Sequence, residues 1–385
     1  MKIVLWGVET NNKGAELMLY AILQEIERKF PDAKVYIPYP RCKQGLSYIQ
    51  TPLDFRFTPF SKFVYKAHLG GILRHLKLPT GWLSLTNVVR GADWFIDGSG
   101  FAFSDQWNIS ESNVKLWQIM LNKLYTQGCK IIFLPQAFGP VELPNTKKVL
   151  KVISDKSNLI IPRERVSYDY LEKSGVVDMR KTRVYSDFTS LVEGVFPTGY
   201  EHLKNAVCVI PNMRMIDKGT ISLDNYIKLL SSIIESARET HRPVYLLNHE
   251  GKKDEMLAYK CRECIGSGIE VVTGLNALEV KGLIASAYLV VTSRFHGLAS
   301  ALNSCVPALA TSWSHKYEEL FKDYGLSDCV LPLDNLLSVK QRLVPFLSEN
   351  KNQEMRLHLR EQLPKIQAQS RAMWDEIWNL KKGRS

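Results

Sequence analysis

Short apolar runs recur along this chain, each followed by a polar turn and then by hydrophobic residues at helical spacing. Residues 2–7 predict a strand, 14–30 a helix with Leu17, Ala21 and Ile22 on one face, and 34–37 a second strand. Trp94, Phe95 and Ile96 lead into Asp97-Gly98-Ser99-Gly100. A helix then runs from about Ser112 to Gly128, and a strand over 130–134 is closed by Pro135. After another helix Leu159, Ile160 and Ile161 make a strand, and Val184-Tyr185 ends this half. Gly194, Pro197 and Gly199 mark a linker over 192–204. The pattern then restarts, with strands over 206–210, 244–247, 270–272, 288–292 and 307–310. One intervening helix opens behind Ser222 as its N-cap. Beyond Leu333 the chain reads as helical and basic.

Helix-period segments between short apolar runs mean parallel βαβ units. The expected fold is therefore α/β, with two Rossmann-like, doubly wound domains facing a cleft in a GT-B-like arrangement and C-terminal helices bracing them. The boundaries fall at residues 1–195, 205–340 and 341–385. Neither half carries a GxGxxG fingerprint or a Walker A loop, which argues against NAD or ATP.

Composition narrows the class. The chain has 385 residues, 45% hydrophobic and 23% charged, which suits a globular protein of two or three domains. Its seven cysteines are scattered, and the Cys261/Cys264 pair has no second CxxC and lies in a helical pattern. A disulfide framework, a zinc site and dithiol chemistry are thus not expected. The apolar start is too short for a secretory signal, and no run approaches the ~20 residues that span a bilayer, so a cytoplasmic location is expected.

The net charge of +11 is partly local. Between Asp54 and Asp93 there is no acidic residue, whereas Arg56, Lys62, Lys66, Arg74, Lys77 and Arg90 alternate with Phe55, Phe57, Phe60, Tyr65 and Trp82. This segment reads as an insertion packed on the first domain with solvated lysines, or as a surface that lies peripherally on an anionic membrane. No nucleic-acid-binding module is visible, so nucleic acid is not an expected partner.

Candidate chemistry clusters where strands end. The apolar run at 289–292 passes into Ser293-Arg294-Phe295-His296-Gly297, a strand-to-helix junction. Open α/β sheets bind ligands outside the carboxyl ends of their strands, and a helix N-terminus favours an anion. The plainer reading is a capped helix with a surface arginine. Asn12-Lys13-Gly14-Ala15-Glu16 follows the first strand, Gly98 and Gly100 precede Asp105, and Gln136 opens the turn at 136–140. Arg163, Arg214 and His249 close three further strands. Singly these are turn glycines, surface ion pairs or a satisfied loop histidine; jointly they gather arginines, histidines and an aspartate around one expected cleft.

This set resembles the polysaccharide pyruvyl transferase family. The resemblance runs over most of the chain, from Asn12-Lys13-Gly14-Ala15 to Ser293-Arg294-Phe295-His296. It includes the glycine loop ending at Asp105, the turn at 136–140, Arg163-Glu164 with Ser167 and Gly175, Asp187, and Lys316. Gly98-Ser99-Gly100 stands where members often have three glycines, and the basic segment belongs to no family motif. The resemblance implies transfer of a pyruvyl group from phosphoenolpyruvate to a sugar of a cell-surface polysaccharide or its lipid-linked precursor. The products are a pyruvate ketal and phosphate.

That donor carries a phosphate and a carboxylate and needs fixed cations, for which Arg214 and Arg294 are the candidates. Ser293, His296, Gly297, His249 and Lys316 complete the expected donor side. His296 is the expected proton donor, because an imidazole can give and take a proton near neutral pH. Asp105 is the expected base toward the sugar hydroxyl, or its holder. Asn12, Gly14, Glu16, Gly98, Gly100, Gln136 and Arg163 are expected to line the cleft or the acceptor side. No metal-ligand spacing is present, so metal-independent chemistry without a cofactor is expected. A nucleotide-sugar-dependent GT-B glycosyltransferase and a non-catalytic, membrane-peripheral component of envelope-sugar assembly are the two alternatives. A basic aromatic surface would suit an acceptor carried on a lipid diphosphate.

Overall fold

The computed structural model describes residues 1–10, 12–37, 89–266, 268–312 and 316–380. The basic segment expected at 54–93 lies, up to residue 88, outside the described residues, as do Trp313, Ser314 and His315. The chain forms two compact units, one of Met1–Thr10, Met18–Asp187 and Arg371–Ser385, the other of Asn11–Leu17 and Phe188–Ser370.

The first unit is built on a parallel sheet of β1 (Lys2–Trp6), β2 (Lys34–Tyr36), β3 (Trp94–Asp97), β4 (Lys130–Gln136) and β5 (Leu159–Pro162). The order is β2-β1-β3-β4-β5, so the winding reverses between β1 and β3. Continuous apolar strands, rather than alternating ones, are what a sheet covered on both faces requires; all four residues of β3 and of β5 are buried. Helices α1 (Lys13–Lys29), α2 (Glu111–Thr126) and α3 (Pro144–Lys156) connect strands of this sheet, and α4 (Arg165–Ser174) follows β5. α2 starts one residue after Ser110, whose hydroxyl accepts from the Asn113 N–H.

One detail departs from expectation. β4 continues through Pro135 instead of ending there, because the β4–β5 register shifts between Phe133 and Gln136 and the missing N–H falls in that irregularity. Val184-Tyr185 ends this half beside β5, where an isolated Ile160–Thr182 bridge is followed by bonds from the Arg183 N–H to the Ile160 carbonyl at 3.2 Å and from the Tyr185 N–H to the Pro162 carbonyl at 3.3 Å.

The second unit holds β6 (Val207–Ile210), β7 (Val244–Leu247), β8 (Glu270–Val272), β9 (Leu289–Thr292), β10 (Ala308–Thr311) and β11 (Val330–Leu331). Their order is β11-β10-β9-β6-β7-β8, all pairs parallel, with the reversal between β9 and β6. β11 has two residues, too few for a periodicity to reveal. The helices are α5 (Arg214–Asp217), α6 (Leu223–Arg238), α7 (Gly251–Ile265), α8 (Ala277–Ala285), α9 (Phe295–Asn303), α10 (Lys316–Asp323), α11 (Leu336–Leu347) and α12 (Glu349–Trp378). Ser222 caps α6 as expected, and Asn276 with Glu279 forms a capping box on α8.

The end of α12 belongs to the first unit, where Trp378 stacks on Trp374 at 5.3 Å and meets Trp94 edge-on at 5.1 Å. Among the described residues no helix is long and apolar enough to cross a membrane.

Within the second unit, α8 touches the incoming chain backbone to backbone. A Cβ on Gly282 would fall 2.2 Å from the Val195 carbonyl, and one on Gly194 would fall 2.3 Å from the Gly282 nitrogen. The neighbouring Lys281 is buried, and its ammonium donates to the Thr189 carbonyl at 2.9 Å. Gly282→Ala is expected to cost about 1–3 kcal/mol, the range for overpacking, read as a lowered melting temperature.

Candidate active site

In the second unit, the turns after β6 and β9 leave neighbouring strands on the two sides of the winding reversal, where such sheets bind ligands. A buried polar network fixes them. The Asn212 amide donates to the Ser293 carbonyl at 2.6 Å, and the Tyr317 hydroxyl donates to the same oxygen at 2.5 Å. The Ser293 hydroxyl bonds Tyr226 at 2.5 Å and also Thr311. Residues from the turn after β6 and from α6, β10 and α10 thereby hold one peptide, and a fully satisfied network of this kind rigidifies what it surrounds. Ser293, expected among the donor ligands, is itself 1% exposed and engaged in this network.

Arg294 is the next residue. It stands at the N-cap of α9 without a side-chain cap bond. Its guanidinium is gripped instead: Nε and Nη2 reach Asp254 Oδ2 at 2.8 and 2.5 Å, and Nη1 pairs with Glu250. Asp254 is wholly buried and also accepts the Met213 N–H at 2.9 Å. Burial pushes the Asp254 carboxyl up to about 7 and the Arg294 guanidinium down to about 10. Their direct contact is what offsets the cost of placing either charge there.

His296 follows in the first turn of α9, with Nε2 shielded from solvent. Its ring lies against the start of α1: a Cβ on Gly14 would fall 2.3 Å from His296 Nδ1. Asn12 shapes that start, since its side-chain oxygen accepts from the N–H groups of Gly14 (2.9 Å) and Ala15 (3.3 Å). Asn12 also forms an isolated antiparallel bridge with Glu250. Lys13 pairs with Glu16 at 2.7 Å. His249 is buried, and burial, then the charges of Arg294, His296 and Lys13, hold it well below the usual histidine range. It is thus neutral at neutral pH.

Gly297 packs α9 onto the strand ends, since a Cβ there would come within 2.8 Å of Thr292 Oγ1. Arg214 is exposed and makes no ion pair among the described residues, yet its charge is felt by both Asp254 and Arg294. The Lys316 ammonium lies over the rings of Phe295 (5.7 Å to the centroid) and Tyr317 (5.5 Å). The second unit therefore brings together Asn12, Gly14, Glu16, Arg214, His249, Ser293, Arg294, His296, Gly297 and Lys316. A helix N-terminus among cationic groups suits an anionic ligand.

The first unit gathers the other expected residues at its own strand ends. Gly98 is required by space, since a Cβ would meet Val8 at 2.7 Å and Ile22 at 2.9 Å; Gly100 is not so confined. The Asp105 carboxylate accepts the N–H groups of Glu142 (2.6 Å) and Leu143 (3.2 Å), which braces the following loop. Arg163 is buried beside Glu164 at 3.3 Å, and Glu164 bonds Ser167, which accepts the Phe138 N–H at 2.7 Å. The Gln136 amide donates to Asp97 at 3.0 Å.

Asp97, Asp254 and Glu250 carry much of this geometry and were not singled out from the sequence. The one signal for Asp97 was a carboxylate closing an apolar strand. Asp97 is fully buried, and burial raises its carboxyl to about 7 against the bonds from Ser99 and Gln136.

Between about pH 4 and 7 the folded protein keeps the Asp97 proton and the unfolded chain releases it. This group's stabilisation is therefore complete below its unfolded pKa and is lost as pH rises through 7. Asn at this position preserves the acceptor and removes the titration. The melting temperature of Asp97→Asn is expected to exceed that of the wild type increasingly from pH 4 to pH 8, by up to about 4 kcal/mol in stability.

Comparison with known proteins places these observations. The chain is 20% identical over 380 residues to the amylovoran biosynthesis protein AmsJ of Erwinia amylovora, covering 88% of this chain and 89% of that one. Its fold matches a putative UDP-N-acetylglucosamine 2-epimerase from Listeria monocytogenes with a TM-score of 0.59 at 11% identity, covering 99% and 97% of the two chains. It also matches WaaG, a glycosyltransferase involved in lipopolysaccharide biosynthesis, with a TM-score of 0.56 at 12% identity, covering 99% and 100%. These likenesses establish the two-unit α/β fold of GT-B proteins. The model of one family matches residues 12–315, from the α1 cap past the Arg294–His296 element, and the chain belongs to the polysaccharide pyruvyl transferase family.

Proposed function

We propose that this protein transfers a pyruvyl group from phosphoenolpyruvate to two hydroxyls of a sugar, within a cell-surface polysaccharide or its lipid-linked precursor. The observation that carries this reading is the start of α9, where Arg294 and His296 stand beside His249 and Lys13 with no side-chain cap on the helix. A donor with a phosphate and a carboxylate finds there a helix dipole and a guanidinium fork. Arg214, exposed on the neighbouring turn, supplies a second guanidinium.

His296 gives a proton to the methylene carbon of the donor, leaving an oxocarbenium-like centre at the carbon bearing phosphate. One sugar hydroxyl adds to that centre and loses its proton. Phosphate then leaves toward the helix N-terminus as the second hydroxyl closes the ketal; of the two hydroxyl protons, one returns to His296 and the other leaves on the phosphate. His249, held neutral by burial, can donate a hydrogen bond from its ring N–H to an oxygen of the bound donor without adding charge. Gly98, Gly100, Asp105, Gln136 and Arg163 are the residues proposed for the acceptor, with Asp105 as the base or the sugar holder. The name of AmsJ supports a polysaccharide acceptor. The reading calls for no cofactor, since phosphoenolpyruvate is itself a substrate. Likeness to WaaG favours a second reading, glycosyl transfer from a nucleotide sugar, whose diphosphate would use the same helix start.

Thermal stability with and without phosphoenolpyruvate separates the two. A ligand that binds only the native state stabilises by about 2.7 kcal/mol at a hundredfold excess over its dissociation constant. That shift is expected in the wild type and absent in Arg294→Ala. Stabilisation by a nucleotide sugar but not by phosphoenolpyruvate would move the assignment to glycosyl transfer. Gly14→Ala is expected to lower donor-dependent phosphate release at least about tenfold by displacing the His296 ring, since misplacements of that order cost about a hundredfold. Phosphate release at the wild-type rate would remove His296 from the chemistry.

A further inference from the structure

We infer that Glu250 is an internal competitor for the donor, a displaceable cap on the Arg294 guanidinium that sets which anions this site admits. The inference rests on the anion-binding reading of the α9 start. One guanidinium here meets two carboxylates, so its charge is already over-compensated before any ligand arrives. An incoming anion gains from Arg294 only if one carboxylate withdraws.

The two are not equivalent. Asp254 is 0% exposed and bound three times, by Nε and Nη2 of Arg294 and by the Met213 N–H. It is tied at once to the turn after β6 and the turn after β9, so it is a positioning residue. The Glu250 side chain is 28% exposed, and among the described residues its carboxylate makes a single contact, with Nη1. Its backbone is held separately by the bridge to Asn12, so the carboxylate can swing out while the turn stays in place.

Such a cap discriminates by charge. A ligand with one anionic group merely exchanges places with Glu250. A ligand with two replaces the lost carboxylate at Nη1 and adds a second interaction, with the α9 N-terminus or Arg214. The cap therefore favours compounds that join a phosphate to another anionic group over inorganic phosphate.

Isothermal titration of phosphoenolpyruvate, inorganic phosphate and UDP into wild type, Glu250→Gln, Glu250→Ala and Asp254→Asn tests this. Both Glu250 variants are expected to bind phosphoenolpyruvate about threefold to fivefold more tightly, the scale of a partly exposed ion pair. They are also expected to lose part of the preference over inorganic phosphate. Asp254→Asn is expected to bind more weakly, although it too removes a negative charge. Tighter binding in all three variants would reveal a general field effect and overturn the cap. Wild-type binding of phosphoenolpyruvate that is unchanged or weakened in both Glu250 variants overturns the cap and leaves the donor assignment standing. Binding of UDP alone, tightened in the Glu250 variants, overturns the donor and supports the cap. No binding of any probe overturns both.

Discussion

A single buried carboxylate holds the candidate site in shape. Asp254 sits in the first turn of α7, wholly removed from water, and takes one hydrogen bond from the turn after β6 and two from the arginine after β9. Those turns leave adjacent strands wound in opposite directions, and nothing in a parallel sheet relates their side chains to one another. A charge placed under both does so. An ionised carboxylate without solvent is costly unless paired, and the geometry that offsets the cost, a fork of N–H donors on one oxygen, also fixes the orientation of the guanidinium. Stability and site geometry are set here by the same bonds.

The neutral network around Ser293 plays the complementary part. Two donors on its carbonyl and two partners on its hydroxyl fix the peptide from which Arg294 and the α9 helix depart. Below it lies apolar sheet; above it the charged groups begin. The first unit has its own buried acid at its reversal, where Asp97, bonded by Ser99 and Gln136, closes the apolar strand β3. Each unit thus places a fully buried carboxylate near the carboxyl edge of its sheet, in the place where the fold exposes ligand-binding loops.

Much of this fold was legible in the sequence because buried parallel strands are apolar on both faces and cannot be mistaken for surface segments. The runs at 206–210 and 288–292 became β6 and β9 within a residue, and Ser222 capped its helix as read. Pro135 misled because a proline reads as a stop, whereas a register shift let β4 run through it. In the site, Arg294, His296 and His249 stood out by residue type. Glu250 and Asp254 did not, because acidic residues at the start of a helix are expected on dipole grounds alone. Their partner lies some forty residues further on, and one sequence records no distances in space.

The contact between Gly14 and His296 has a consequence for descent. The two positions are far apart in the chain, yet the imidazole occupies the volume that any side chain at position 14 would need. Neither residue is free to drift while the other stays: a larger residue at 14 is tolerated only after the ring has gone, and a lineage that loses the ring no longer has a use for the glycine. Paired histories at these two sites would therefore mark which descendants of this fold kept the imidazole against the helix start and which turned the same scaffold to other ends.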